Sequence, residues 1–126
     1  MIVGVGTDIV CIGRMRNNLE RFGERFACRI LDAGELEEYR DERFPERLLA
    51  KRFAVKEAVA KALGTGFRDG VTPRQIAVVH DPLGKPAVRL AGPARRLSDA
   101  LGVGATLVSI SDEREHAIAF VVLLRG

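Results

Sequence analysis

The 126-residue sequence predicts a small α+β domain with a mainly antiparallel sheet and one long central helix. Three observations carry that expectation. Ile2 to Ile9 alternates Val3, Val5, Thr7 and Ile9 against Ile2, Gly4, Gly6 and Asp8, a strand pattern with one oily face and a carboxylate at the end of the other. Pro45 and Gly64 bracket the longest helical stretch, Glu46 to Leu63, with proline suited to the first turn and glycine to the stop. The remaining strands and helices follow one another without regular alternation, so the sheet is expected to be mainly antiparallel.

Taken in order, the first strand leads into a helix from about Gly13 to Phe22, and the chain stays basic through Arg25 and Arg29. Asp32 followed by Glu35 has the spacing of a capping box and opens a second helix to about Arg40. After the long helix and a turn at Thr72-Pro73, Ile76–His80 and Ala87–Leu90 read as a hairpin with a long tip, residues 81–86. Pro93 to Leu101 reads as a helix, and Ala105–Ser111 with His116–Leu124 as a closing hairpin across Asp112-Glu113-Arg114-Glu115. No internal repeat or low-complexity linker interrupts this order, so residues 1–126 are read as a single domain.

Composition narrows the function classes. With 47% hydrophobic and 29% charged residues the chain is not of the disordered type, and no apolar run approaches the ~20 residues of a membrane span. Twenty basic against 17 acidic side chains give +3, a mild bias towards anionic partners. There is no Trp, one Tyr and six Phe, too little aromatic surface for a single-stranded nucleic-acid platform, so no nucleic-acid partner is expected. Met1 to Val10 lacks a basic leader and carries Asp8, which points to the cytoplasm. Cys11 and Cys28 have no paired spacing and are expected to be small core residues in a reducing compartment.

The long helix is the most informative segment. At 100° per residue, Leu48, Val55, Val59 and Ala62 form one oily stripe and Leu49, Phe53, Ala60 and Leu63 another. Between them lies a lane of Ala50, Ala54, Glu57 and Lys61, whose small members leave room for a ligand. Glu57 and Lys61 also fit an ordinary i,i+4 surface pair, worth a few tenths of a kcal/mol, and Asp8 also fits a cap on the helix that follows. Gly4 and Gly6 would let a backbone or a ligand approach the face that Asp8 shares. Should Asp8 and Glu57 converge, two hard oxygen ligands beside Lys61 suit a magnesium ion that keeps several waters and binds substrate phosphates. Lys51, Arg52, Lys56, Lys61 and Lys85 supply cations for a pyrophosphate and a further phosphate. Gly64-Thr65-Gly66 offers backbone N–H groups, or simply the end of the helix.

Gly6-Thr7-Asp8-Ile9-Val10, then Arg52-Phe53-Ala54-Val55-Lys56-Glu57-Ala58 with Lys61 and Gly64-Thr65-Gly66, resemble the holo-acyl-carrier-protein synthases, a 4′-phosphopantetheinyl transferase family. Gly84-Lys85-Pro86 and Val108-Ser109-Ile110-Ser111 match in order and spacing, so the resemblance covers nearly the whole chain. It implies transfer of the 4′-phosphopantetheine arm of coenzyme A to a serine of apo-acyl carrier protein, releasing adenosine 3′,5′-bisphosphate, in support of fatty acid biosynthesis. Asp8 and Glu57 would then bind Mg2+, with Asp8, Glu57 and Lys61 as the catalytic group. Arg52, Lys56, Gly64, Gly84, Lys85 and Pro86 would lie by coenzyme A, and Arg14, Arg21, Arg25, Phe26 and Arg29 would dock the acidic carrier. The family fold is a small α+β domain that forms a homotrimer with active sites between subunits.

One position departs from the family pattern. Many members show His-Val-Ser where this chain has Leu107-Val108-Ser109, and neither His80 nor His116 matches that site, so the general base is expected to be a magnesium-linked water or a carboxylate. The alternatives are another magnesium-dependent phosphotransferase or nuclease, and a non-catalytic module that binds an acidic protein.

Overall fold

The computed structural model describes residues 1–126. In chain order the elements are β1 (Ile2–Cys11), α1 (Ile12–Phe22), α2 (Glu24–Ile30), α3 (Ala33–Arg40), α4 (Pro45–Ala62), a 3-10 turn (Pro73–Gln75), β2 (Ile76–His80), β3 (Pro86–Leu90), α5 (Gly92–Ala100), β4 (Val103–Asp112) and β5 (His116–Arg125). Strands β1, β5 and β4 form an antiparallel sheet in that order, and β2 and β3 form a separate antiparallel pair. The expected α+β class and antiparallel pairing both hold. The strands, however, divide into two sheets rather than one.

Helix α4 runs through the middle of the core, with both expected oily stripes turned inward; Leu49, Val55, Val59 and Ala60 are wholly buried. What seats it on the sheet is a third stripe. Ala50, Ala54, Ala58 and Ala62 recur every four residues, the spacing of one helix face, and all four are buried. Opposite them on β1 stand Gly4 and Gly6. A Cβ on Gly4 would lie 2.1 Å from the Ala62 carbonyl oxygen, and one on Gly6 1.9 Å from that of Ala58. No side chain larger than hydrogen fits there. The glycines therefore admit a backbone, and Ala50 and Ala54 make room for protein rather than ligand, contrary to the sequence expectation.

The oily face of β1 points the other way. Val5 is 51% and Ile9 60% exposed, and they share the open side of the sheet with Leu107, Ile118 and Phe120. Cys11 also belongs to the exposed set and Cys28 is only partly covered, so the expectation that both are core residues fails for Cys11. The two thiols are unpaired.

Helix α2 was not foreseen. Gly23, at φ 67°, breaks the helical run after Phe22, and the chain restarts at Glu24 with Ala27 and Ile30 turned to the core. The basic stretch of Arg25 and Arg29 thus lies on a helix. Helix α3 has its capping box complete: the Asp32 side chain accepts from the Glu35 N–H, and Glu35 accepts from the Asp32 N–H.

Candidate active site

The inward face of β1 reads Gly4, Gly6, Asp8, Val10. Two strand residues advance about 6.6 Å and four helix residues about 6 Å, so a strand lying against a helix keeps step with it over this distance. With Gly4 at Ala62 and Gly6 at Ala58, Asp8 falls one helical turn nearer the start of α4, beside the turn that presents Glu57. Asp8, Glu57 and Lys61 line one cleft as a result. Lys61 Nζ donates to Asp8 Oδ1 at 2.9 Å and to the Thr7 carbonyl oxygen at 3.0 Å. Asp8 caps no helix: α1 starts after Cys11 without a side-chain cap.

Glu57 sits uneasily in this cleft. Burial raises its pKa above the usual carboxylate range, the Asp8 charge raises it further, and Lys61 offsets only part of this. Two carboxylates lining one cleft, one of them paired with an ammonium, suit a divalent cation. No group of three or more His, Cys, Asp or Glu side chains in the chain is arranged to hold a metal ion. A metal held by Asp8 and Glu57 must therefore complete its shell with water and substrate oxygens, the habit of magnesium.

The same cleft is lined by Arg14, Phe26 and Arg29, and Phe26 and Arg29 also line an adjoining groove with Arg21, Phe22 and Arg25. All five residues expected to dock the carrier are thus gathered along one surface that ends at the carboxylates. Phe22 belongs with them: the Arg21 guanidinium stands 5.1 Å from its ring centre. Its spacing next to Arg21 and four before Phe26 was the available signal.

A second cleft opens elsewhere on α4. Lys51, Arg52, His80, Gly84 and Pro86 line it, so Arg52 and the β2–β3 tip do meet. Five residues along α4 amount to about 7.5 Å of rise and about 140° of rotation, so the Arg52 cleft and the Glu57 cleft face different ways. Arg52 itself is buried and its Nη1 donates to Glu38 at 2.7 Å. The Lys85 side chain stays exposed at the tip, which the Asp81 carboxylate organises by accepting from the Leu83 and Lys85 N–H groups, both at 2.9 Å. His80, the last residue of β2, is exposed and lines this cleft.

Two expected coenzyme A contacts are corrected. Lys56 is wholly buried and its ammonium is saturated by Glu35, the Pro73 carbonyl and the Ile76 carbonyl, at 2.6, 2.9 and 2.6 Å. Burial pushes its pKa down and Glu35 opposes that. It faces α3 and β2, away from both clefts. Gly64 belongs to the turn that ends α4, at φ 91°, with its N–H already donated to Lys61 O, and the Gly66 N–H is donated to Ala60 O. The turn reading prevails, and neither N–H is free for phosphate.

Known proteins share this fold. Residues 4–121 match the family model of the 4′-phosphopantetheinyl transferase superfamily. The chain belongs to that superfamily. It is 54% identical, over the full length of both chains, to a holo-[acyl-carrier-protein] synthase of Halorhodospira halophila. A crystal structure of the holo-[acyl-carrier-protein] synthase of Neisseria meningitidis superposes with a TM-score of 0.92 at 45% identity, covering 99% of this chain and 100% of that one. The Bacillus anthracis synthase, solved in complex with CoA (3′,5′-ADP), superposes at 0.85 with 33% identity, covering 100% and 99%.

The strain at Glu57 is measurable. An acid with a raised folded pKa favours the native state as pH falls through that pKa and penalises it above. Glu57→Gln should therefore raise the melting temperature of the metal-free protein by a few degrees at pH 7. The gain should shrink to nothing below about pH 4, where both states of the wild type carry the proton. A lower melting temperature for Glu57→Gln at pH 7 would contradict the electrostatic account.

Proposed function

We propose that residues 1–126 act as one domain that transfers the 4′-phosphopantetheine arm of coenzyme A to a serine of apo-acyl carrier protein, in support of fatty acid biosynthesis. The observation that carries this reading is the meeting of Asp8, Glu57 and Lys61 in one cleft, continuous with the Arg21–Arg29 groove. The relatives with the same fold are holo-[acyl-carrier-protein] synthases, one of them solved with coenzyme A. The proposed setting is the cytoplasm; no helix is long and apolar enough to cross a membrane.

In the proposed reaction the serine hydroxyl oxygen forms a bond to the β-phosphorus of coenzyme A. The bond to the bridging oxygen breaks, adenosine 3′,5′-bisphosphate leaves with that oxygen, and the serine proton passes to water or a carboxylate. Asp8 and Glu57 would hold magnesium, which would supply positive charge beside the reacting phosphates. Lys61 donates from beside Asp8 to the same oxygens. Lys51, with Gly84 and Pro86, receives the nucleotide end, and Lys85 reaches in from the tip. The protein contributes position and fixed charge rather than a nucleophile.

Incubation with coenzyme A, magnesium and apo-carrier protein should add about 340 Da to the carrier, the mass of the transferred arm. Asp8→Asn and Glu57→Gln should each lower that transfer at least ~100-fold while leaving the fold intact, since each removes one charged oxygen ligand without changing volume. A carrier of unchanged mass would favour a binding module, and full activity in either variant would sink the metal assignment.

The carrier surface is tested separately. Arg14→Glu with Arg21→Glu should raise the carrier KM roughly tenfold and flatten its salt dependence, leaving the coenzyme A KM unchanged. Carrier kinetics equal to wild type would remove these arginines from the docking surface.

We further propose a homotrimer with active sites between subunits. It is supported by the open, apolar side of the β1-β5-β4 sheet and by the two clefts' facing different ways. Phe120, 47% exposed in the middle strand, should be covered in such an assembly. Phe120→Glu should yield folded monomers with little transfer activity, read by light scattering and circular dichroism. A variant that keeps both its assembly and its activity would remove this face from the interface.

A further inference from the structure

One charged pair lies apart from both clefts and outside the proposed chemistry. Lys56 is wholly buried and Glu35 is 2% exposed, joined at 2.6 Å between α4 and α3. Besides the capping bond that Glu35 accepts from the Asp32 N–H, each of the two residues bonds to one edge of β2. The other edge of β2 pairs with β3, so the free edge presents the Ile76 carbonyl and the Val78 N–H, two residues apart on the same side. Lys56 donates to the first at 2.6 Å, and Glu35 Oε2 accepts from the second at 3.1 Å. The ion pair thus occupies the place of a neighbouring strand. Lys56 adds a bond to the Pro73 carbonyl, just before β2, and Glu35 Oε2 lies 3.5 Å from Arg52 Nη1.

All these bonds converge on the root of the β2–β3 hairpin, whose tip carries Gly84 and Pro86 into the Arg52 cleft. We propose that Lys56 and Glu35 are positioning residues that clamp the β2–β3 hairpin to α4 and α3, and so set the spacing between its tip and Lys51 and Arg52 at which the nucleotide end of coenzyme A binds. This rests on the coenzyme A reading above. The clamp touches no substrate, so its influence falls on nucleotide binding rather than on transfer from the bound state or on the carrier.

Three features favour this over a role in stability alone. A fully buried ion pair is often replaceable by apolar side chains at no loss of stability, so stability by itself gives weak reason to keep one. The bonds are directional and made to backbone, which fixes a position rather than merely filling space. Four segments meet at this one pair, α3, α4, the Pro73 turn and β2, and residues of α4 and of the β2–β3 hairpin line the Arg52 cleft.

The test is the double variant Glu35→Gln with Lys56→Met, which removes both charges together and leaves neither buried alone, compared with Lys56→Met and wild type. Transfer is measured with coenzyme A varied at saturating carrier and with carrier varied at saturating coenzyme A. Binding of adenosine 3′,5′-bisphosphate is measured by calorimetry. The expected result for the folded double variant is a coenzyme A KM and a bisphosphate Kd each raised about tenfold, with kcat and the carrier KM within about twofold of wild type. Wild-type affinity for the bisphosphate, or a loss confined to kcat, would overturn the inference. A double variant that does not fold would overturn it as well, assigning the pair to stability. Wild-type protein that neither transfers the arm nor binds the bisphosphate would instead bring down the functional reading, and this inference with it.

Discussion

The contact on which the rest of the structure depends is the seating of α4 on β1 through Gly4 and Gly6. Both glycines lie so close to the Ala62 and Ala58 carbonyls that a methyl group would occupy the space of the helix backbone. Overpacking of that kind typically costs about 1–3 kcal/mol even where neighbours can yield, and a helix backbone yields little. The contact is equally a ruler. It sets the register between strand and helix, and the next inward residue on β1 after the two glycines is Asp8. A carboxylate from the start of the chain and one from its middle reach the same cleft because two backbones touch.

That placement works against the stability of the empty protein. Glu57 loses hydration and faces Asp8, so its charged form is disfavoured where Lys61 alone compensates. A protein selected only to stay folded would have a neutral or apolar residue there. Strain of this kind, at the mouth of a basic groove, is the electrostatic signature of a candidate functional site. The contrast with Lys56 and Glu35 is instructive, since theirs is also a buried carboxylate and ammonium. There Lys56 donates to three acceptors and Glu35 accepts from backbone as well as from Lys56, so the pair has no capacity left for a ligand.

The sequence made much of this legible because local signals and global packing agree. Proline at the start of α4, the Asp32 and Glu35 capping spacing and the alternation in the strands each depend on neighbours in the chain, and each was found in place. The failures share a different cause. Whether Val5 and Ile9 or Gly4 and Gly6 formed the packed face depended on what lay across from them, and hydrophobicity suggested the wrong one. Lys56 stands one residue from Glu57, yet a rotation of 100° turns it to another side of α4. Its true partner was signalled only weakly, by Arg52 and Lys56 at a four-residue spacing matching Glu35 and Glu38 at three. The end of α1 at Phe22 was legible, but the restart after Gly23 was not, because the seven residues of α2 span too few turns to show a periodic apolar face.

Leu107 shows how one position changes meaning between the two descriptions. In the sequence it marks a missing imidazole in an otherwise familiar pattern. In the structure it lies on the open side of the sheet, paired with Val122, which in turn pairs with Val5, in a row of three aliphatic side chains across the strands. Ile9 pairs with Ile118 on the same side, and Phe120 with Thr7 and Ser109. A three-stranded sheet has two faces, and here α4 covers only the one made narrow by glycine and alanine. The covered face carries Gly4, Gly6, Ala117 and Ala119 together with the buried Val10, Val121 and Leu123, while Val5, Ile9, Leu107, Ile118 and Phe120 lie exposed on the other. Leu107 there is one member of an exposed apolar row that the chain's own helices leave bare, so its meaning is set by the open face it joins rather than by the imidazole it lacks.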